Sequence, residues 1–61
     1  MKLELEIRMD NEAFSDAPGL EAGRILIRLA NDIECLTGPG GEYGNLRDSN
    51  GNTVGIWKVS A

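Results

Sequence analysis

The chain has 61 residues, ten of them acidic and six basic, for a net charge of −4. That balance argues against general binding to nucleic-acid backbones, a term that scales with Lys and Arg contacts to phosphate. One Cys and no His remove an intrachain disulfide and a His/Cys metal site from the devices that usually stabilise so small a domain.

A domain of this size buries only about 60% of the surface its unfolded chain exposes. Association with a second copy through apolar burial is therefore the expected source of extra stability. Cys35 reads as a reduced intracellular thiol. No apolar run reaches the length that spans a bilayer, and the alternating pattern starts at Met1-Lys2-Leu3-Glu4, so neither a membrane segment nor an export signal is expected. The expected setting is the cytoplasm.

Residues 2–10 read as a strand. Leu3, Leu5, Ile7 and Met9 fall on one side, and Lys2, Glu4, Glu6, Arg8 and Asp10 on the other, the period-two signature of one buried and one wet face. Asp10-Asn11-Glu12 breaks the alternation, and Phe14 is expected to fold back as a lid on the core. The spacing then predicts a helix over residues 17–36. Asp16 is placed to accept from first-turn amides, Pro18 tolerates that turn, and Glu21 adds negative charge near the helix start.

Ala22, Ile25, Leu26, Leu29, Ala30, Ile33 and Leu36 recur at three- and four-residue steps as one broad stripe. Gly38 and Pro39 end the helix. Leu20 and Ile27 lie nearly opposite the stripe and are candidate contacts with a second copy. Arg24, Arg28, Asp32 and Cys35 fill the polar sector, with Arg28 and Asp32 at a supportive spacing.

Residues 37–44 hold four of the eight glycines and form a flexible connection. A hairpin over residues 45–59 follows, turning at Asn50-Gly51, a pair that tolerates positive φ. A two-residue turn sets Asp48 opposite Thr53, Arg47 opposite Val54 and Leu46 opposite Gly55. Leu46, Trp57 and Val59 then share one face, and Tyr43, Arg47, Val54, Ile56 and Lys58 the other. A three-residue connection would instead group Leu46 with Val54 and Ile56. The architecture expected is an α+β domain of order β-α-β-β, a three-stranded, mainly antiparallel sheet packed on one helix, associating as a homodimer.

No catalytic centre is expected. There is no His, the only Cys lies on a helix without a base nearby in sequence, and Ser15, Ser49 and Ser60 lack an activating partner. Asp48-x-Asn50-x-Asn52 opens like a calcium loop, but the glycine comes at the fourth place and Val59 stands where the bidentate acid belongs. The glycines from Gly38 to Gly44 follow a helix and lead into a strand, the reverse of a dinucleotide fingerprint. Neither a metal nor a cofactor is expected.

The strongest binding constellation is Tyr43, Arg47, Trp57 and Lys58 with the acids Glu42 and Asp48, gathered on the hairpin and the loop before it. Aromatic faces stack bases, Arg grips phosphate or carboxylate, and acids accept from ribose hydroxyls or an amine. Such a cleft would form most readily where two copies meet, with Arg24 and Arg28 available to add positive charge. The alternative is that Trp57 is the largest core residue and Tyr43 covers a sheet edge.

Asn11-Glu12-Ala13-Phe14 and the hairpin Leu46-Arg47-Asp48-Ser49-Asn50-Gly51-Asn52-Thr53-Val54-Gly55 resemble short phage and prophage proteins over nearly the full chain. Proteins of this size and origin are similar to viral sponges that bind nucleotide immune signals, including ADP-ribose derivatives made by Thoeris defence systems. The resemblance implies a homodimer that holds such a signal without cleaving it. The expected function is thus sequestration of a small nucleotide-type ligand by a non-enzymatic homodimer. Capture of a host protein through the Leu20 and Ile27 patch or a sheet edge is the alternative.

Overall fold

The computed structural model describes residues 1–61. Its elements run β1 (Lys2–Ile7), a single 3₁₀ turn (Glu12–Phe14), α1 (Pro18–Ile33), β2 (Tyr43–Arg47) and β3 (Thr53–Ser60). The sheet order is β1-β3-β2, with both pairs antiparallel. The chain is a small α+β domain, and the return arm of its hairpin is the central strand. Leu3 faces Val59, Leu5 faces Trp57 and Ile7 faces Gly55, so the alternating side of β1 shares the helix side of the sheet with Trp57.

Element ends depart from the sequence expectation for local reasons. Past Ile7, Arg8 still donates its amide to the Val54 carbonyl at 2.7 Å, but Asn11 then accepts from Phe14 and the chain turns over. Strand β1 therefore stops short of residue 10. The helix closes at Ile33 because Cys35 and Leu36 donate three residues back, to Asp32 and Ile33, a tightened last turn rather than a continuation to residue 36. The hairpin, in contrast, starts two residues before position 45. Gly41 and Glu42 of the loop already exchange hydrogen bonds with Val59. Asp16 makes no cap: Ala17 is the N-cap and no side chain bonds there.

The turn differs from the expected two-residue form. Gly51 donates to the Asp48 carbonyl at 3.0 Å, and the Asp48 amide donates to the Asn52 carbonyl at 2.9 Å. Within the turn, only Gly51 has positive φ, +85°. The loop is thus three residues, 49–51, with glycine in the left-handed position.

The body of the hairpin nevertheless keeps the pairing of a two-residue turn, Leu46 with Gly55 and Asn45 with Ile56. An irregularity between Leu46 and Arg47 restores Arg47 opposite Thr53. One residue of β2 is thereby spanned by two of β3, which makes Val54 the extra residue of a bulge. Its side chain turns inward and is 3% exposed, instead of sharing the outer face with Ile56 and Lys58.

Phe14, Ile25, Leu29, Leu46, Val54 and Trp57 form the core, flanked by Ile7, Ala13, Ala22, Ile33, Leu36 and Val59. Phe14 closes it from the 3₁₀ turn as expected of a lid. Two members of the helical stripe, Leu26 and Ala30, stay exposed, because α1 packs over β2 rather than across β1. The same offset leaves Leu3 45% and Leu5 42% exposed.

At Gly55 the central strand passes so close to β1 that an added Cβ would strike the Glu6 carbonyl. Since that obstacle is backbone, relief requires the strands to part. Gly55→Ala is expected to lower the unfolding free energy by about 2 kcal/mol or more, read as the midpoint shift in urea unfolding.

Candidate functional site

Two buried carboxylates organise the hairpin tip. Asp48, 4% exposed, accepts through Oδ1 from the backbone amides of Asn50 and Asn52, both at 2.9 Å, and through Oδ2 from the Asn11 side chain. Burial works against its charged form. The donors outweigh that penalty: the Asn52 amide first, then the Asn11 side chain, the Asn50 amide and the Asn52 side chain, which together hold the carboxyl below its ordinary 3.8. Glu21 of α1, 5% exposed, accepts from the Ser49 amide at 2.7 Å and from its hydroxyl at 3.2 Å. The tip is therefore tied to the helix start through Glu21 and to the connection before it through Asn11.

Beside this anchor lies a groove of about 220 Å³, lined by Glu21, Arg24, Ile25, Arg28, Arg47, Asp48 and Ser49. Helical spacing explains the two helix cations, because Arg24 and Arg28 stand one turn apart on the flank next to Glu21. Arg47 comes from the edge strand β2, at the bulge. Arg24 Nη1 lies 3.7 Å from Glu21 Oε1, whereas Arg28 and Arg47 have no carboxylate within ion-pair distance. Three guanidinium groups thus face one concavity in a protein of net charge −4.

The remaining candidates are distributed over the molecule. Tyr43 and Lys58 are direct cross-strand partners on the sheet face away from the helix, where Tyr43 is 81% and Ile56 54% exposed. They line a shallow depression of about 630 Å³ with Gly40, Gly41, Ile56, Trp57 and Ser60. Trp57 is buried in the core, with its Nε1 only 2.5 Å from where a Cβ on Gly44 would sit. Its indole is packed rather than presented. Glu42 lies at the far end of the domain, in a groove with Met1, Leu3, Ile33 and Leu36.

Of the six hairpin candidates, the structure unites Arg47 with Asp48 and, separately, Tyr43 and Lys58 with a margin of the buried Trp57. Asp48 has one oxygen occupied by the turn and the other by Asn11. Leu20 and Ile27 are 61% and 69% exposed on α1. The partnership of Glu21 with Ser49 had no sequence signal, since it joins residues 28 apart with no shared periodicity. Arg24 and Arg28 were legible as cations of the helix's polar sector, available to add positive charge to a cleft.

No family model, curated protein or solved structure matches the chain. No helix is long and apolar enough to cross a membrane.

The lowered Asp48 pKa fixes a sign. A carboxyl whose folded pKa lies below its unfolded value contributes stability above the unfolded value and loses it as pH falls through the folded one. The wild-type protein should therefore lose stability progressively as pH drops below about 3.8. Asp48→Asn should unfold at a lower temperature near neutral pH and should lack this component of the acid dependence, both measured by circular dichroism.

Proposed function

We propose that the protein is a non-catalytic, phage-type binding protein that sequesters a small phosphate-bearing ligand, a nucleotide-derived immune signal of the ADP-ribose kind. The observation that carries this reading is the convergence of Arg24, Arg28 and Arg47 on one groove, two of them without an acidic partner. Guanidinium groups match phosphate oxygens in bidentate geometry. Ser49 adds a hydroxyl on the same wall.

A rigid platform supports the same reading. Anchored by Asp48 and Glu21, the hairpin tip holds Arg47 near the helix before any ligand arrives, so less entropy is lost on binding. Arg47 is the one residue of the expected hairpin constellation that enters the groove without a structural duty of its own. The resemblance to sponge proteins supplies the ligand class. Holding such a signal withdraws it from the host's defence and requires no bond to break.

A second reading, capture of a host protein, is favoured by Leu20 and Ile27, two aliphatic side chains exposed on the outer side of the helix. A stoichiometric protein retained from host lysate, lost in the Leu20→Ser/Ile27→Ser variant, would favour it.

Titration calorimetry with ADP-ribose is the direct test of the first reading. Heat of binding is expected, and Arg28→Ala or Arg47→Ala should weaken the affinity about tenfold or more through loss of a charge-assisted hydrogen bond. Absence of heat with ADP-ribose derivatives and cyclic nucleotides alike would overturn it.

A further inference from the structure

We propose that the open edge of β1 seats a second copy of this chain, the two β1 strands pairing antiparallel about a two-fold axis at Glu4 to give one six-stranded sheet. The proposal is independent of the ligand reading. Backbone direction identifies what the edge offers. The Arg8 amide points to Val54 on β3, and Val59 of β3 bonds instead to the loop leading into β2. Even-numbered residues of β1 thus spend their amides and carbonyls on β3. Those of Leu3, Leu5 and Ile7 point away from the sheet as an unpaired ladder.

The side chains beside that ladder are apolar and incompletely covered. Leu3 and Leu5 are 45% and 42% exposed. The flank of α1 that carries Arg24 and Arg28 lies at the β2 side of the sheet, as their shared groove with Arg47 requires. The opposite flank, with Ala22, Leu26 and Ile33, therefore lies on the β1 side, and Ile33 does share a groove with Leu3. Leu26, on the same flank of the helix, is 44% exposed. A second copy would bring its own Leu3, Leu5 and Leu26 to this seam.

The size of the exposed surface agrees. The chain exposes 4360 Å², about 500 Å² more than the roughly 3,900 Å² of a compact monomer of its mass. Its radius of gyration is 12.2 Å, against about 10.5 Å for a compact domain of this length. A standard interface buries about 800 Å² per partner, so covering the seam removes surface on the scale of the excess.

Charge selects the register. With Glu4 on the axis, Lys2 stands opposite Glu6 of the second copy and Leu3 opposite its Leu5, leaving one like pair, Glu4 against Glu4. Moving the axis to Leu5 would set Lys2 against Arg8 and Glu4 against Glu6, all like charges, which cross-strand pairing disfavours. Moving it to Leu3 shortens the overlap. The Lys2 and Glu6 side chains lie on the outer face, at the close positions that do not share ladder hydrogen bonds.

Sedimentation equilibrium and amide exchange test this together. The wild-type protein should sediment as a dimer at micromolar concentration. Amides of Leu3, Leu5 and Ile7 should be protected, and their protection should fall on dilution. Lys2→Glu should weaken the dimer about fivefold, and the double variant Lys2→Glu/Glu6→Lys should recover it. Glu4→Gln should tighten it. Leu5→Pro removes an outward amide and a seam side chain while keeping every amide that bonds to β3, and should yield a folded monomer. If that variant unfolds, exchange and the charge reversal still decide. A monomer at these concentrations overturns the proposal, as does a dimer indifferent to the charge reversal or one with fast-exchanging Leu3, Leu5 and Ile7 amides.

Discussion

Asp48 and Glu21 are the constraint on which the rest of this small structure depends. A carboxylate buried without partners is costly, and a carboxylate that collects several N–H donors is stable and rigid. Asp48 closes the turn upon itself and fastens it to Asn11, and Glu21 fastens the next residue, Ser49, to the helix. With the tip held at these points, the bulge has a fixed place and Val54 is delivered into the core beside Leu46 and Trp57. The polar tip thereby determines the register of an apolar sheet.

The anchor also draws the helix to one side. It packs over β2, and the two flanks of the domain acquire opposite characters. Toward β2, the helix presents Arg24 and Arg28 to Arg47, a cationic groove. Toward β1 it leaves Leu3, Leu5 and Leu26 partly in water. Ligand binding and self-association thus fall on opposite flanks in the arrangement proposed. In a sheet joined through β1 the β2 strands lie outermost, so each copy keeps its own complete groove. The cleft expected at a junction between copies gives way, in that arrangement, to two separate grooves.

The element types were legible in the sequence. Alternation marks β1, the stripe from Ala22 to Leu36 marks the helix, and Asn50-Gly51 between β-prone runs marks the hairpin. These signals are local and follow from the periods of helix and strand. Of the candidate site, Arg47 and the helix pair Arg24 and Arg28 could be nominated from chemistry and spacing. That Trp57 is packed and Tyr43 presented could not be read, since of the two registers the turn allows one sets them on opposite faces of the sheet and the other on the same face.

The sequence by itself determined a β-α-β-β chain with a turn near Gly51, because periodicity and glycine's access to positive φ act over a few residues. Tertiary structure alone decided that β3 is central, that Val54 faces inward, that Asp48 and Glu21 serve as anchors, and that three arginines share one groove. Each of these joins segments far apart in the chain. Their energies come from burial and donor geometry, which exist only once the helix has settled on the sheet.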